Sequence, residues 1–117
     1  MKNKQFGARL GFALSGFFLA LKQENSFRFQ IFSTIAVTVM LIVLQPALIW
    51  WALVVVMIAM VLMAELFNTA LETLCDYVQP EHHEAIGKIK DLAAAAVLMA
   101  SIGSLIVAVL LIIDLID

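Results

Sequence analysis

The chain has 117 residues, of which 64% are hydrophobic, and its mean hydropathy is +1.06. Soluble domains are about 45–50% apolar, so this composition excludes an ordinary soluble protein and indicates a membrane protein. The net charge of -2 comes without any cluster of basic and aromatic residues, which argues against a nucleic-acid partner, and a single cysteine, Cys75, excludes an intramolecular disulfide.

The first predicted element is an amphipathic helix over residues 5–22. Apolar side chains recur at helical spacing along one face, at Phe6, Leu10, Ala13, Leu14, Phe17 and Leu21. Arg9, Ser15 and Lys22 lie off this face, as expected of a helix that lies in the membrane surface. The pattern fits equally well a helix packed against its own bundle, and the sequence leaves both interpretations open.

Three predicted spans follow, at about 29–44, 47–77 and 91–113. The first is about long enough to cross a bilayer together with its flanks, and the second is apolar to residue 64 and continues as a helix that carries polar residues. Gln45-Pro46 separates the first two, because proline cannot continue a helical hydrogen-bond ladder. A polar loop over 79–90 precedes the third. The sequence therefore predicts an all-α membrane protein of one domain over 1–117, with a surface helix and three transmembrane helices.

The basic residues predict the topology, because they occupy only two regions. They are Lys2, Lys4, Arg9, Lys22 and Arg28 before or at the first span, and Lys88 and Lys90 before the third. Cytoplasmic loops of membrane proteins carry an excess of lysine and arginine. We therefore expect the N-terminus and the 79–90 loop in the cytoplasm, and the 45–46 hairpin and the C-terminus outside.

Small residues recur at every fourth position of the third span, at Ala96, Ala100, Ser104 and Ala108. Such a stripe lets helix backbones approach closely in membranes, although alanine is also simply common in membrane helices. Three short spans cannot both enclose a site and satisfy their polar faces. We therefore expect an oligomer.

Polar residues in the second half of the second span form the most informative pattern. Glu65, Asn68, Glu72 and Asp76 fall within roughly 80° of one helix face, and hydrophobic residues fill the remainder. The simpler interpretation is that the helix leaves the membrane here. A solvated helix end would scatter polar residues around its circumference, so we favour a lined cleft with a function.

Three carboxylates on one face attract a hard cation such as Mg²⁺, which takes one or two carboxylates and completes its shell with water and phosphate oxygens. Glu24, at the mouth of the first span, adds a further acid, and Lys90-Asp91 adds a cation able to meet phosphate. These are the groups that phosphoryl transfer requires. No phosphate-binding loop or soluble kinase signature is present, and the adjacent pair His82-His83 is expected to be an ordinary loop pair that does not chelate a metal.

Four motifs carry a family resemblance: Glu24-Asn25-Ser26-Phe27-Arg28, then Glu65-Leu66-Phe67-Asn68-Thr69-Ala70-Leu71-Glu72 with Asp76, then Glu81-His82-His83-Glu84, and finally Lys90-Asp91-Leu92-Ala93. In these motifs the sequence resembles the prokaryotic diacylglycerol kinase/undecaprenol kinase family. The resemblance extends over nearly the whole chain, from about residue 5 to residue 113.

The resemblance implies a homotrimer in the bacterial cytoplasmic membrane, with sites between protomers, which transfers the γ-phosphate of ATP to a lipid hydroxyl. By position, Glu24 and Glu72 would hold Mg²⁺, and Glu65 would act as general base on the lipid hydroxyl. The nucleotide and its phosphates would be positioned by Asn68, Asp76, Lys90 and Asp91. Phe12 and Ala13 depart from the family, which often has a Tyr-Ser pair there.

Two acceptor lipids are implied, diacylglycerol and undecaprenol. Asn68-Thr69-Ala70 and the run 91–98 look more like the undecaprenol kinases, and the predicted groove beside the surface helix carries no hydroxyl, since it is formed by Phe12, Ala13, Phe17 and Phe18. Both observations favour undecaprenol slightly.

The main alternative is a small oligomeric ion-coupled transporter, in which an intramembrane carboxylate binds a proton or a cationic substrate. Transporter sites lie near the bilayer midplane. The acidic stripe beginning at Glu65 lies close to the interface by its distance along the helix, which favours the kinase.

Overall fold

The computed structural model describes residues 5–117 and consists of four α-helices. They are α1 (Phe6–Gln23), α2 (Asn25–Leu44), α3 (Leu48–Val78) and α4 (Glu84–Ile116). The last three are long and apolar enough to cross a membrane. The predicted all-α fold with three such helices is therefore confirmed; Lys2 and Lys4, which contribute to the predicted topology, lie outside the described residues.

A single residue joins α1 to α2. Glu24 has an extended backbone (φ -111°, ψ 115°), and its N–H still bonds the carbonyl of Ala20. The guanidinium of Arg28 donates to the carbonyls of Leu21 and Lys22 at 3.0 and 2.8 Å, so it caps carbonyls that the end of α1 leaves without helical partners. The chain thus turns sharply without a loop, and α2 begins four residues before the predicted start of its span.

The outer apolar face of α1 is not packed against the rest of the chain. Phe6, Leu10 and Leu14 are exposed. The helix contacts the bundle through buried Ala20 and through Phe17, whose ring packs edge-on against the fully buried Phe27 at 5.2 Å between centroids.

The break between α2 and α3 lies at Gln45-Pro46, as the sequence predicts. Gln45 adopts a left-handed backbone (φ 47°), and its N–H bonds the carbonyl of Leu41 at 2.8 Å, which ends α2. Its side-chain amide bonds the carbonyl of Ile42 at 2.8 Å. Pro46 then prevents any continuation of the helix.

The fourth helix begins earlier than the sequence indicates. Residues 84–90, part of the predicted 79–90 loop, are helical, because the Nδ1 atom of His83 accepts a hydrogen bond of 3.0 Å from the N–H of Ala85. A side-chain acceptor at this position satisfies one of the four unpaired N–H groups of a helix start. His83 is therefore a helix cap, whereas the sequence predicts an ordinary loop residue.

Helix α3 packs mainly against α4. Of the small-residue stripe, Ala100 is buried in the chain whereas Ala96 and Ala108 are exposed. Helices α3 and α4 approach each other closely at Gly103, where an added Cβ would lie 2.9 Å from the terminal methyl carbon of Met57. Part of the stripe therefore serves packing within one chain, and part of it stays on the surface.

The two ends of the bundle differ. At the hairpin end, Leu41, Val54 and Leu111 form a core with one residue from each long helix, and the indole N–H of Trp50 donates to Asp114 at 2.9 Å. The C-terminus and the 45–46 hairpin thus share one end. The α1–α2 junction, the end of α3 and the start of α4 share the other, which we call the polar end.

Candidate functional site

The polar end carries every residue that the sequence predicts for the site. They are Glu24 at the α1–α2 junction, Glu65, Asn68, Glu72 and Asp76 on α3, and Lys90 and Asp91 on α4. Because α3 is antiparallel to its neighbours, its last three turns lie beside the first turns of α2 and α4. Two side-chain hydrogen bonds join predicted residues to each other, and a third joins Glu65 to Ser26.

Glu65 is the one buried charged residue among those described, with 4% of its surface exposed. The hydroxyl of Ser26 donates to its Oε2 atom at 3.2 Å, which joins the start of α2 to α3. A buried carboxylate is costly unless polar groups satisfy it, so such a residue indicates a function in a membrane protein.

Asn68 and Glu72 form a pair one turn apart. The Asn68 Nδ2 atom donates to Glu72 Oε1 at 3.1 Å. Since only the amide nitrogen can donate to a carboxylate, this bond points the amide oxygen of Asn68 away from Glu72. That oxygen is buried and has no hydrogen-bond partner within residues 5–117. It is thus an oxygen atom that is available to a ligand.

Asp76 and Lys90 form an ion pair of 2.8 Å between α3 and α4. Lys90 lies before the predicted span. Its hydrogen bond to Asp76 raises the pKa of Lys90 above the ordinary value. Lys90 therefore stays a cation at neutral pH. Both side chains are partly solvent-exposed.

The remaining two predicted residues have no such contact. The carboxylates of Glu24 and Asp91 form no hydrogen bond or ion pair with any residue that the structure describes. Glu24 lies partly buried in the junction between α1 and α2, whereas Asp91 is exposed beside Lys90.

Two further residues act at this end that reasoning from the sequence did not assign. Ser26 holds Glu65, and Arg28 clamps the junction that contains Glu24. Both lie in the motif beginning at Glu24. No periodicity connects position 26 with position 65, so only the motif itself could have indicated Ser26.

The oxygen donors at this end are of the kind that Mg²⁺ binds. No group of three His, Cys, Asp or Glu side chains within residues 5–117 is arranged as a metal site. Mg²⁺ usually takes only one or two carboxylates and keeps waters or phosphate oxygens in the remaining positions. The predicted ligands, the carboxylates of Glu24 and Glu72, are hard oxygen donors of the type this ion prefers, and Asn68 fixes that of Glu72.

An apolar groove of about 540 Å³ between α3 and α4 reaches this site. Asn68 is its only polar lining residue, at one edge. The other lining residues include Met57, Phe67, Leu71 and Met99. Of the aromatic residues predicted to form a groove at α1, Phe17 is packed against Phe27, whereas Phe12 and Phe18 are exposed.

Known proteins similar to this chain are named as lipid kinases. A diacylglycerol kinase of Synechocystis sp. is 34% identical over 97 residues, which cover 82% of this chain and 55% of that protein. A diacylglycerol kinase of Haemophilus influenzae is 32% identical over 76% of this chain and 75% of that protein. An undecaprenol kinase of Bacillus subtilis is 28% identical over 82% of this chain and 78% of that protein.

The chain thus spans about half the length of the Synechocystis relative. The sequence model described as prokaryotic diacylglycerol kinase matches residues 11–112, which includes every residue predicted for the site. These matches offer no support for the transporter interpretation. The protein belongs to the prokaryotic diacylglycerol kinase family of membrane lipid kinases.

Proposed function

We propose that this protein, as one domain, transfers the γ-phosphate of ATP to the hydroxyl of a membrane lipid in a reaction that requires Mg²⁺. The observation that carries the proposal is the buried Glu65 carboxylate, which lies at the same end of the bundle as the unpaired amide oxygen of Asn68 and the ion-paired Lys90. Purified protein should move label from the γ-phosphate of ATP into the organic phase only when lipid and Mg²⁺ are both present.

Glu65 is the proposed general base. Its carboxylate accepts the proton of the lipid hydroxyl as the lipid oxygen bonds the γ-phosphorus and the bond to the β–γ bridging oxygen breaks, which releases ADP. Glu65 lies in a nearly water-free position, and a base acts on a proton that comes within hydrogen-bond distance of its carboxylate.

Glu24 and Glu72 are the proposed ligands of Mg²⁺, and the ion would neutralise charge on the transferred phosphate. The hydrogen bond from Asn68 fixes the Glu72 carboxylate and leaves the Asn68 oxygen, which points away from Glu72, without a partner among the described residues. The proposed role of Asn68 is thus to position the phosphates together with the metal.

Asp76, Lys90 and Asp91 are proposed to hold the nucleotide. The ion pair with Asp76 joins α3 to α4, and the ammonium of Lys90 stays partly exposed to solvent in this pair. A phosphate group adds a second anionic partner to this cation.

A homotrimer with sites between protomers is the proposed assembly. Ala108 of the small-residue stripe is exposed and leaves a surface on α4 that fits a helix of another copy, whereas Ala96 lines the groove between α3 and α4. The exposed apolar face of α1, with Phe6 and Leu10, supports its placement in the membrane surface.

The proposed orientation places the polar end in the cytoplasm, where ATP is available. In a Cys75→Ala background, Glu81→Cys should be protected from an impermeant thiol reagent in intact cells, whereas Asp117→Cys should be labelled. Both positions are exposed. A cysteine at Gln45 in the hairpin would have to adopt a left-handed backbone, so Asp117 is the better position for reporting that end of the bundle. The reverse pattern would contradict the positive-inside argument and move the site away from ATP.

Undecaprenol is the proposed acceptor in preference to diacylglycerol. The groove beside Asn68 has almost no polar lining, so it offers the ester groups of a glycerolipid few hydrogen-bond partners and gives that lipid no advantage over a plain prenyl chain. We expect a higher kcat/KM for undecaprenol when both lipids are assayed in mixed micelles at matched surface concentration. A clear preference for diacylglycerol would overturn this assignment and leave the lipid kinase proposal intact.

A further inference from the structure

The hydroxyl of Ser26 is the only side-chain donor to Glu65 within residues 5–117. We propose that Ser26 is a positioning residue for phosphoryl transfer: it occupies Oε2 of Glu65 and thereby presents Oε1 to the acceptor hydroxyl. The inference rests on the proposed role of Glu65 as general base and adds a residue to that site.

The local backbone explains why this hydroxyl is available. Serine and threonine hydroxyls inside helices commonly bond the carbonyl four residues earlier. Ser33, Thr34 and Thr38 of the same helix do so, at 2.8–3.0 Å. Ser26 lies in the first turn of α2, and the residue four positions earlier, Lys22, belongs to α1 on the other side of the extended Glu24. No carbonyl of its own helix therefore stands one turn before Ser26, and the Lys22 carbonyl is bonded by Arg28 at 2.8 Å.

The element that carries Ser26 is also held firmly. The neighbouring residue Phe27 is fully buried and packs against Phe17, and Arg28 ties the first turn of α2 to the end of α1. A donor on such an element fixes the direction of its acceptor. Glutamate has three rotatable side-chain bonds, so without this bond the Glu65 carboxylate has several orientations available.

The bond leaves one oxygen of Glu65 for chemistry. The Oε1 atom receives no hydrogen bond from any described residue. A base must present a lone pair within hydrogen-bond distance of the proton it removes, and small misplacements of a reacting group cost large factors in rate. Ser26 remains a donor throughout, so the proton of the lipid goes to Oε1.

The kinetic test compares Ser26→Ala with Ser26→Thr. Since small misplacements of a reacting group cost large factors in rate, we expect kcat of Ser26→Ala to fall about tenfold or more. The KM for ATP should stay within about twofold of the wild type, because the nucleotide contacts are unchanged. Ser26→Thr keeps the hydroxyl and should restore most of kcat.

Ser33→Ala is the matched control, because it removes a hydroxyl from the same helix that bonds only its own backbone. It should leave kcat unchanged. A kcat for Ser26→Ala equal to that of Ser33→Ala would overturn the inference, as would a Ser26→Thr variant no better than Ser26→Ala.

A stability cycle tests the contact without using activity. Ser26→Ala should lower Tm by about 4 °C in the wild-type background and leave it unchanged in a Glu65→Ala background, because residues in contact are coupled. The same shift in both backgrounds would show that Ser26 acts elsewhere and overturn the inference. A wild-type protein that phosphorylates no lipid would instead refute the proposed function, and the cycle would still report the bond.

Discussion

Replacing Glu65 with glutamine should reduce kcat by about 10²–10⁴-fold while the protein still folds. The amide oxygen cannot take the proton of the lipid hydroxyl. It can still accept the hydrogen bond from Ser26, and the two side chains have nearly the same shape, so the packing of this buried position is kept. Initial rates of label transfer from ATP to lipid, measured on protein purified at equal yield, give the comparison.

Glu84→Gln is the matched control for this change. Glu84 lies at the same end of the bundle but is exposed, and its contact is an ion pair of 3.7 Å with Lys88. Exposed pairs of this kind contribute little to stability. We expect wild-type kcat for the control, and a near-normal kcat for Glu65→Gln would remove Glu65 from the role of base.

The helices could be predicted because their signals are local. Long apolar segments give the spans, and Gln45-Pro46 gives the break between α2 and α3. The early start of α4 was missed because it depends on one side chain, His83, bonding the backbone two residues later. The abrupt turn at Glu24 was missed for a similar reason, since the carbonyls of α1 are capped by Arg28 from the next helix.

The candidate site was predictable along α3 and less so between helices. Helical geometry places Asn68 and Glu72 one turn apart, and they do bond each other. Contacts between helices depend on the tilt and register of the helices, and the spacing of residues along the sequence does not determine either. The stripe covers roughly 80° of the helix face, so its members meet different partners: Glu65 meets α2 through Ser26, whereas Asp76 meets α4 through Lys90.

The second large effect is expected for Glu72→Gln, which should lower the rate at fixed Mg²⁺ by about 10²-fold or more. The change removes the negative charge of the side chain and leaves one oxygen where the carboxylate has two. The amide oxygen that replaces the carboxylate can still accept from Asn68, so the pair that positions both side chains is kept.

Magnesium titrations separate this effect from the loss of the base. For Glu72→Gln, the Mg²⁺ concentration at half-maximal rate should rise by at least about tenfold, because the ion loses a carboxylate ligand. For Glu65→Gln and for the control Glu84→Gln, it should equal the wild-type value. A Glu72→Gln protein with a wild-type Mg²⁺ requirement would contradict metal binding by Glu72, whatever its rate. A raised requirement in Glu65→Gln as well would place both carboxylates on the ion and leave the general base to be sought elsewhere.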